Sequence, residues 1–161
     1  MQLIRGIALL CAGTLMGCAH YQPAPDLAPE ESITVTFMAP GLLAQPMVCT
    51  PEGRFVSTRQ SLTASPFQGA LMDEAANLLR KAETVTVTLD GTRPVTVGVR
   101  YSERSRGSSN KRCRQALTFS PGPGAHYDVV FTLSGNECTL SVTDETGTPP
   151  SDASPSAWHC P

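Results

Sequence analysis

Aromatic side chains make up only 6% of this 161-residue sequence, and Tyr101 alone lies within its one cluster of positive charge. Nucleic-acid platforms stack bases on aromatic rings between cations, so that function class loses its main support. Net charge is small as well. Twelve basic side chains against 14 acidic ones leave −2, which argues against a generally basic nucleic-acid binder and an acidic, disordered tail protein. Catalytic frames are missing: the sequence has no G-x-S-x-G, no H-E-x-x-H and no P-loop. It has no C-x-x-C pair either, and His159-Cys160 offers adjacent ligands without a matching second pair for zinc. No catalytic residue, metal ligand or cofactor is assigned on these grounds, and no nucleic acid is expected as partner. The 13 glycines and 14 prolines stay below the proportion of a low-complexity chain. A chain of this length supports one domain that buries about two thirds of its unfolded surface.

Long hydrophobic runs are also scarce. The one apolar stretch, residues 6–16, follows Arg5 and is about half the 20 residues that a transmembrane helix needs. A permanent membrane span is the alternative to a signal peptide here. The stretch ends in Leu15-Met16-Gly17-Cys18: an aliphatic residue, a tolerant position, a small residue and a cysteine. This resembles the lipobox of bacterial lipoproteins. The resemblance implies that residues 1–17 are cut away and that Cys18 carries a diacylglyceryl thioether, with its new amine fatty-acylated (palmitate-type). Two or three chains anchor a protein stably, whereas one does so marginally. Ala19 follows the cysteine in place of an Asp that would signal inner-membrane retention. The resemblance thus implies the outer membrane's periplasmic leaflet. An ordinary secretory signal cut near Ala12 or Gly17 stays open.

Residues 18–31 combine the lipid-bearing cysteine with a proline-rich, polar run that predicts an extended tether, a spacer of some tens of ångströms at about 3 Å per residue. Residues 32–161 form the expected domain. Ile33, Val35 and Phe37 alternate with Thr34, Thr36 and Met38, the pattern of a half-buried strand. Residues 42–53 read as irregular around Pro46 and Pro51, with a short strand at Phe55 and Val56.

Ser65-Pro66-Phe67-Gln68 carries a capping hydroxyl, a proline at the first helical position and a glutamine three residues after the cap. A helix over 66–82 follows. Phe67, Leu71, Ala75, Leu78, Leu79 and Ala82 share one face, expected to pack in the core, and Arg80 and Lys81 fall in the last turn. The period then becomes 2. Val85, Val87 and Leu89 precede Asp90-Gly91, and Val95, Val97, Val99 and Tyr101 follow it, which predicts a hairpin. A meander is expected beyond it. Its rows are Leu117 and Phe119, then Tyr127, Val129, Phe131 and Leu133, then Cys138, Leu140 and Val142. The fold class is α+β: about six mostly antiparallel strands, hairpin plus meander, with one helix. The Pro-, Ser- and Thr-rich stretch 144–155 is expected to be irregular.

With Cys11 removed and Cys18 lipidated, Cys49, Cys113, Cys138 and Cys160 remain, an even number that points to two disulfides in an exported chain. Strands separated by a third lie about 9–10 Å apart, beyond the roughly 7 Å that a disulfide spans. If residues 113–143 form one meander, Cys113 and Cys138 cannot pair. The favoured pairing is Cys49 with Cys113 and Cys138 with Cys160, the latter pinning the tail with Trp158 beside it.

Charge is the most distinctive feature. Arg100, Arg104, Arg106, Lys111, Arg112 and Arg114 face Glu103 alone between positions 100 and 114, with Gly107 and serines 105, 108 and 109 between them. A hairpin loop of this kind meets an anionic partner: lipopolysaccharide phosphates, peptidoglycan carboxylates or an acidic protein face. The competing reading is a solvated hairpin tip. His126 and Asp128 share one face of a strand and are the residues of a rival, a periplasmic hydrolase. The expected function is a non-enzymatic envelope lipoprotein, membrane-bound through its lipid, that binds or scaffolds another envelope component.

Overall fold

A computed structural model describes residues 20–23, 27–64, 68–103 and 111–160. Cys18 and the rest of the lipobox, the cap residues 65–67, and Arg104 and Arg106 lie outside the described residues. In chain order the elements are a 3-10 turn (Pro29–Glu31), β1 (Ser32–Met38), β2 (Ala44–Cys49), β3 (Phe55–Ser57), β4 (Ser61–Leu62), α1 (Ala70–Leu78), β5 (Lys81–Ala82), β6 (Thr84–Asp90), β7 (Val95–Glu103), β8 (Lys111–Phe119), β9 (His126–Ser134), β10 (Glu137–Asp144) and β11 (Ser154–Ser156).

Strict alternation builds the first sheet. In β1 Ile33, Val35 and Phe37 are buried between half-exposed neighbours, as the period of 2 requires. β1 is central: β6 runs antiparallel on one side, Phe37 opposite Val85, and β9 runs parallel on the other, Val35 opposite Tyr127. β10 completes the order β10-β9-β1-β6. The second sheet has seven strands, β11-β8-β7-β2-β4-β5, with β3 also paired to β2. Its inward residues Val97, Val99, Tyr101, Leu117 and Phe119 meet Phe37, Val129 and Phe131 in one core cluster. Phe119 and Tyr127 meet across the layers with ring centroids 4.9 Å apart. Each fully buried Val or Phe contributes about 1.5–3 kcal/mol of transfer free energy.

Among the described residues the fold is β-rich with one α-helix and most strand pairs are antiparallel, as expected, but there are eleven strands in place of six and both sheets are mixed. Parallel pairing joins β1 to β9 and β4 to β5. The Asp90-Gly91 hairpin is not formed. β6 pairs with β1 and β7 with β2 and β8, so this connection crosses between the sheets. Asp90 accepts hydrogen bonds from the Thr92 amide at 2.9 Å and hydroxyl at 2.6 Å, closing the corner. Gly91 donates to the Glu31 carbonyl at 2.7 Å, and a Cβ there would sit 2.7 Å from Ile33 Cγ2.

The meander is corrected too. After β8 the chain leaves its sheet through Ser120-Pro121-Gly122-Pro123-Gly124 and enters the other as β9. Two prolines without amide donors stop the pairing, and the Gly122 amide donates to Tyr127 Oη at 2.9 Å. β8 and β10 therefore face each other across the core. Cys113 and Cys138 are bridged with Cα atoms 6.5 Å apart, and Cys49 pairs with Cys160 at 5.7 Å. The favoured pairing of Cys49 with Cys113 and Cys138 with Cys160 is overturned, because the spacing that disfavoured Cys113 with Cys138 holds only within one sheet.

The remaining corrections concern the segments between the long strands. Residues 44–49, expected to be irregular, form β2, with Pro46 opposite Val99 and its carbonyl accepting from the Thr58 amide at 3.1 Å. The helix is shorter than 66–82: Gly69 precedes it, and Arg80, at φ 52°, ends it. Arg80 and Lys81 thus lie beyond its last turn. Of α1 only Ala76 is buried, whereas Leu71 and Leu78 are 83% and 80% exposed. The apolar face expected in the core points outward. The tail is also more regular than expected, since β11 pairs with β8.

Both described ends of the proline-rich segment touch the domain. His20 forms a parallel bridge with Ser57, and the Tyr21 amide donates to the Ser57 carbonyl at 2.9 Å. The Tyr21 hydroxyl donates to the Thr88 carbonyl, and Pro29–Glu31 leads straight into β1.

Candidate binding surface

The hairpin expected around the basic cluster is formed. β7 and β8 pair without a break from Val95 opposite Phe119 to Glu103 opposite Lys111. Alternation then sorts the charges. Tyr101 is buried in the core cluster and Cys113 packs against it, whereas Arg100, Arg112 and Arg114 are exposed on the outer face. Lys111 lies on the other side and donates from Nζ to the Gly135 carbonyl at 3.1 Å, tying the hairpin to the β9–β10 turn. Tyr101 Oη donates to Glu103 at 2.8 Å; burial, then this carboxylate, pushes its hydroxyl above the ordinary tyrosine value.

On the outer face Arg100 stands directly opposite Arg114, with Arg112 opposite Ser102. Like charges opposed across a strand pair repel. Among the described residues the ion pairs are Arg93 with Asp90 and His126 with Asp128, so none of these three arginines is paired with a described carboxylate. Arg114 instead lies over Trp158, Cζ 5.7 Å from the ring centroid, a cation–π geometry. Trp158 also stacks on Phe55 at 4.6 Å. It settles there because residue 98 is glycine: a Cβ would meet Trp158 Cζ3 at 2.9 Å and the Gln115 carbonyl at 3.0 Å. The Cys49–Cys160 bridge holds the tail in this position.

His126 and Asp128 do come together, Nε2 to Oδ1 at 3.3 Å, but with side chains 36% and 42% exposed on the face of β9. The larger surface clefts lie elsewhere. One of about 360 Å³ gathers His20, Tyr21, Glu52, Asp90 and Arg93. There burial, then the Asp90 charge, raises the Tyr21 hydroxyl, while Thr92 and Arg93 hold Asp90 below the usual carboxylate range. Another of about 560 Å³ lies between Tyr21 and Pro23 on one side and Asn77 and Arg80 on the other. Neither is lined by His126 or Asp128.

No family model matches the chain, and no curated protein does. What the surface can do is therefore argued from its own chemistry. All four described cysteines are disulfide-bonded, so none serves as thiolate nucleophile or metal ligand. Among the described residues no three His, Cys, Asp or Glu side chains gather in a metal-binding group, and no helix is long and apolar enough to cross a membrane. The opposed arginines and the tryptophan beside them form a cationic, partly aromatic surface on a rigid strand pair. Gly98 inside a strand was the available signal for a close approach, and Trp158 is the ring that makes it.

Proposed function

We propose that this chain is a lipid-anchored cell-envelope protein that binds an anionic envelope component through the outer face of β7 and β8, without transforming it. The observation that carries the reading is the unneutralised register of Arg100 opposite Arg114, next to Arg112. A fold that opposes two like charges on a rigid strand pair tolerates repulsion that a bound anion would relieve. Arg104 and Arg106 continue the same sequence cluster. The lipobox at Cys18 supplies the anchor and the expected location, the periplasmic side of the outer membrane. Two disulfides suit an oxidising compartment of that kind.

The hydrolase alternative draws support from the His126–Asp128 contact and none from enclosure, since a general base works best in a cleft that holds a substrate.

The test measures binding of the full-length protein to lipopolysaccharide and to isolated peptidoglycan at low and high salt, with in-cell crosslinking for an acidic protein partner. Replacing Arg100 and Arg112 with Glu is expected to lower affinity at least about tenfold, 1.4 kcal/mol, and binding of the native protein is expected to weaken with salt. Binding that is unchanged in the variant, or no binding and no crosslinked partner in the native protein, overturns the reading.

A further inference from the structure

β6 is an edge of the four-stranded sheet, and no described strand pairs with its outer side. The ladder to β1 decides which of its backbone groups face outward. The Thr34 amide turns away from β6 to the Ala125 carbonyl, and the Gly91 amide donates to the Glu31 carbonyl. In an antiparallel pair, hydrogen-bonded and non-bonded residue pairs alternate. Ile33 with Leu89 and Val35 with Val87 are therefore bonded pairs, whereas Thr34 with Thr88 and Thr36 with Thr86 are not. The amides and carbonyls of Thr86 and Thr88 thus point away from β1. The Thr88 carbonyl does so visibly, since it accepts from the Tyr21 hydroxyl. Among the described residues nothing bonds the Thr86 amide, the Thr86 carbonyl or the Thr88 amide.

Proteins blunt such edges with proline, lysine, bulges or very short strands. Residues 84–89 contain no proline and no charged side chain, and their register with β1 runs without a bulge. The edge opens into the cleft of about 560 Å³, which Val85, Thr86, Val87 and Thr88 line. Four strand residues span about 13 Å. Arg59 and Arg80 line the same cleft, both exposed and neither paired with a described carboxylate. No Asp or Glu lines it. Unpaired donors and acceptors at strand spacing match an extended peptide backbone, and two cations beside them select acidic side chains on that peptide.

We propose that the β6 edge binds an extended, acidic peptide segment of a partner protein, which adds a strand beside Thr86 and Thr88 with its carboxylates at Arg59 and Arg80. The Tyr21 phenol already holds the place of one donor of that strand and marks where the added strand stops. None of Arg100, Arg112 and Arg114 lines this cleft. The inference therefore goes beyond the surface on β7 and β8, and it stands without the lipid anchor.

The experiment selects binders of the full-length protein, kept in mild detergent, from a phage-displayed library of short random peptides. Enriched sequences are expected to carry Asp or Glu. Made as synthetic peptides, they are expected to slow hydrogen exchange of the Thr86 and Thr88 amides at least about tenfold. Thr86→Pro removes one outward donor and leaves the ladder to β1 intact, a position where an edge strand tolerates proline. Arg59→Glu combined with Arg80→Glu reverses the cations without altering the backbone, so it tests the site even where the proline disturbs folding. Each change is expected to weaken binding at least about tenfold. A library that yields no peptide, peptides that leave both amides unprotected, or undiminished binding by either folded variant overturns the inference. Slow exchange at Thr86 and Thr88 before any peptide is added also overturns it, because a second copy or the chain itself then occupies the edge.

Discussion

Residues 144–160 are rich in proline, serine and threonine, whereas α1 and its flanks carry leucines at helical spacing; the structure fastens the first and exposes the second. The tail is held by β11 on β8, by Asp152 accepting from the Ser120 amide at 2.9 Å, by Trp158 on Phe55 and Gly98, and by the bridge to Cys49. The helix touches the domain chiefly through Ala76 and the β4–β5 edge, where Ser61 donates to the Arg80 carbonyl at 2.9 Å. Composition predicts what a segment is able to bury. Whether it does so depends on partners far away in the sequence, and the tail has four of them.

The sharpest way to break the comparison is to release the tail. Replacing Cys49 and Cys160 together with alanine opens a loop closed over 111 residues and is expected to cost about 2–5 kcal/mol. Denaturant unfolding measures it, and a non-reduced peptide map checks the pairing. A variant as stable as the native protein would mean that the tail is held by packing alone. Next in size is Trp158→Ala, which removes the ring from Phe55, Arg114 and the space over Gly98. A half-buried indole is expected to give about 2 kcal/mol, below the 3–5 of a fully buried one. Gly98→Ala should lose stability in the same experiment by about 1–3 kcal/mol through overpacking, and an unaffected midpoint would remove Trp158 from that site.

Much of this architecture was legible in the sequence, and the limits of legibility are physical. The period of 2 located the long strands around Val35, Val87, Val97, Val129 and Leu140. Alternation reports that one face is buried but not which neighbour lies alongside, so the Asp90-Gly91 corner looked like a hairpin and β8 looked continuous with β9. The disulfide pairing inherited that error. β2 was hidden because Pro46 interrupts it and because Pro46, Met47 and Val48 are buried in succession; β4 and β5 are too short to show a period. The helix was legible as a helix, yet amphipathic spacing is the same for a face in the core and a face on a partner. At the candidate surface the cations were legible, whereas the opposition of Arg100 and Arg114 and the tryptophan beside them required the register.

A smaller effect concerns acid. Hydrogen bonds from Ser120, side chain first, hold the Asp152 carboxyl below the ordinary aspartate value. A carboxyl with a depressed folded value contributes above its unfolded value, about 3.9, and loses that contribution as pH falls through the folded one. The stability difference between the native protein and Asp152→Asn should therefore be level from about pH 5 to 8 and close below about pH 4. A difference that persists unchanged at pH 3 would mean that the neutral acid serves the tail equally well.

The smallest expected effect is the most informative about α1. Leu71→Ser and Leu78→Ser remove side chains that are 83% and 80% exposed, so each should shift unfolding free energy by no more than about 0.5 kcal/mol in the protein free of membrane. A buried leucine truncated in the same way would cost several times that. A loss of 2 kcal/mol or more would put this face inside the folded domain and end the contrast with the tail. Near-neutral values would mean that these leucines contribute nothing to folding. Their apolar surface would then have a use only against something that the folded chain does not itself supply.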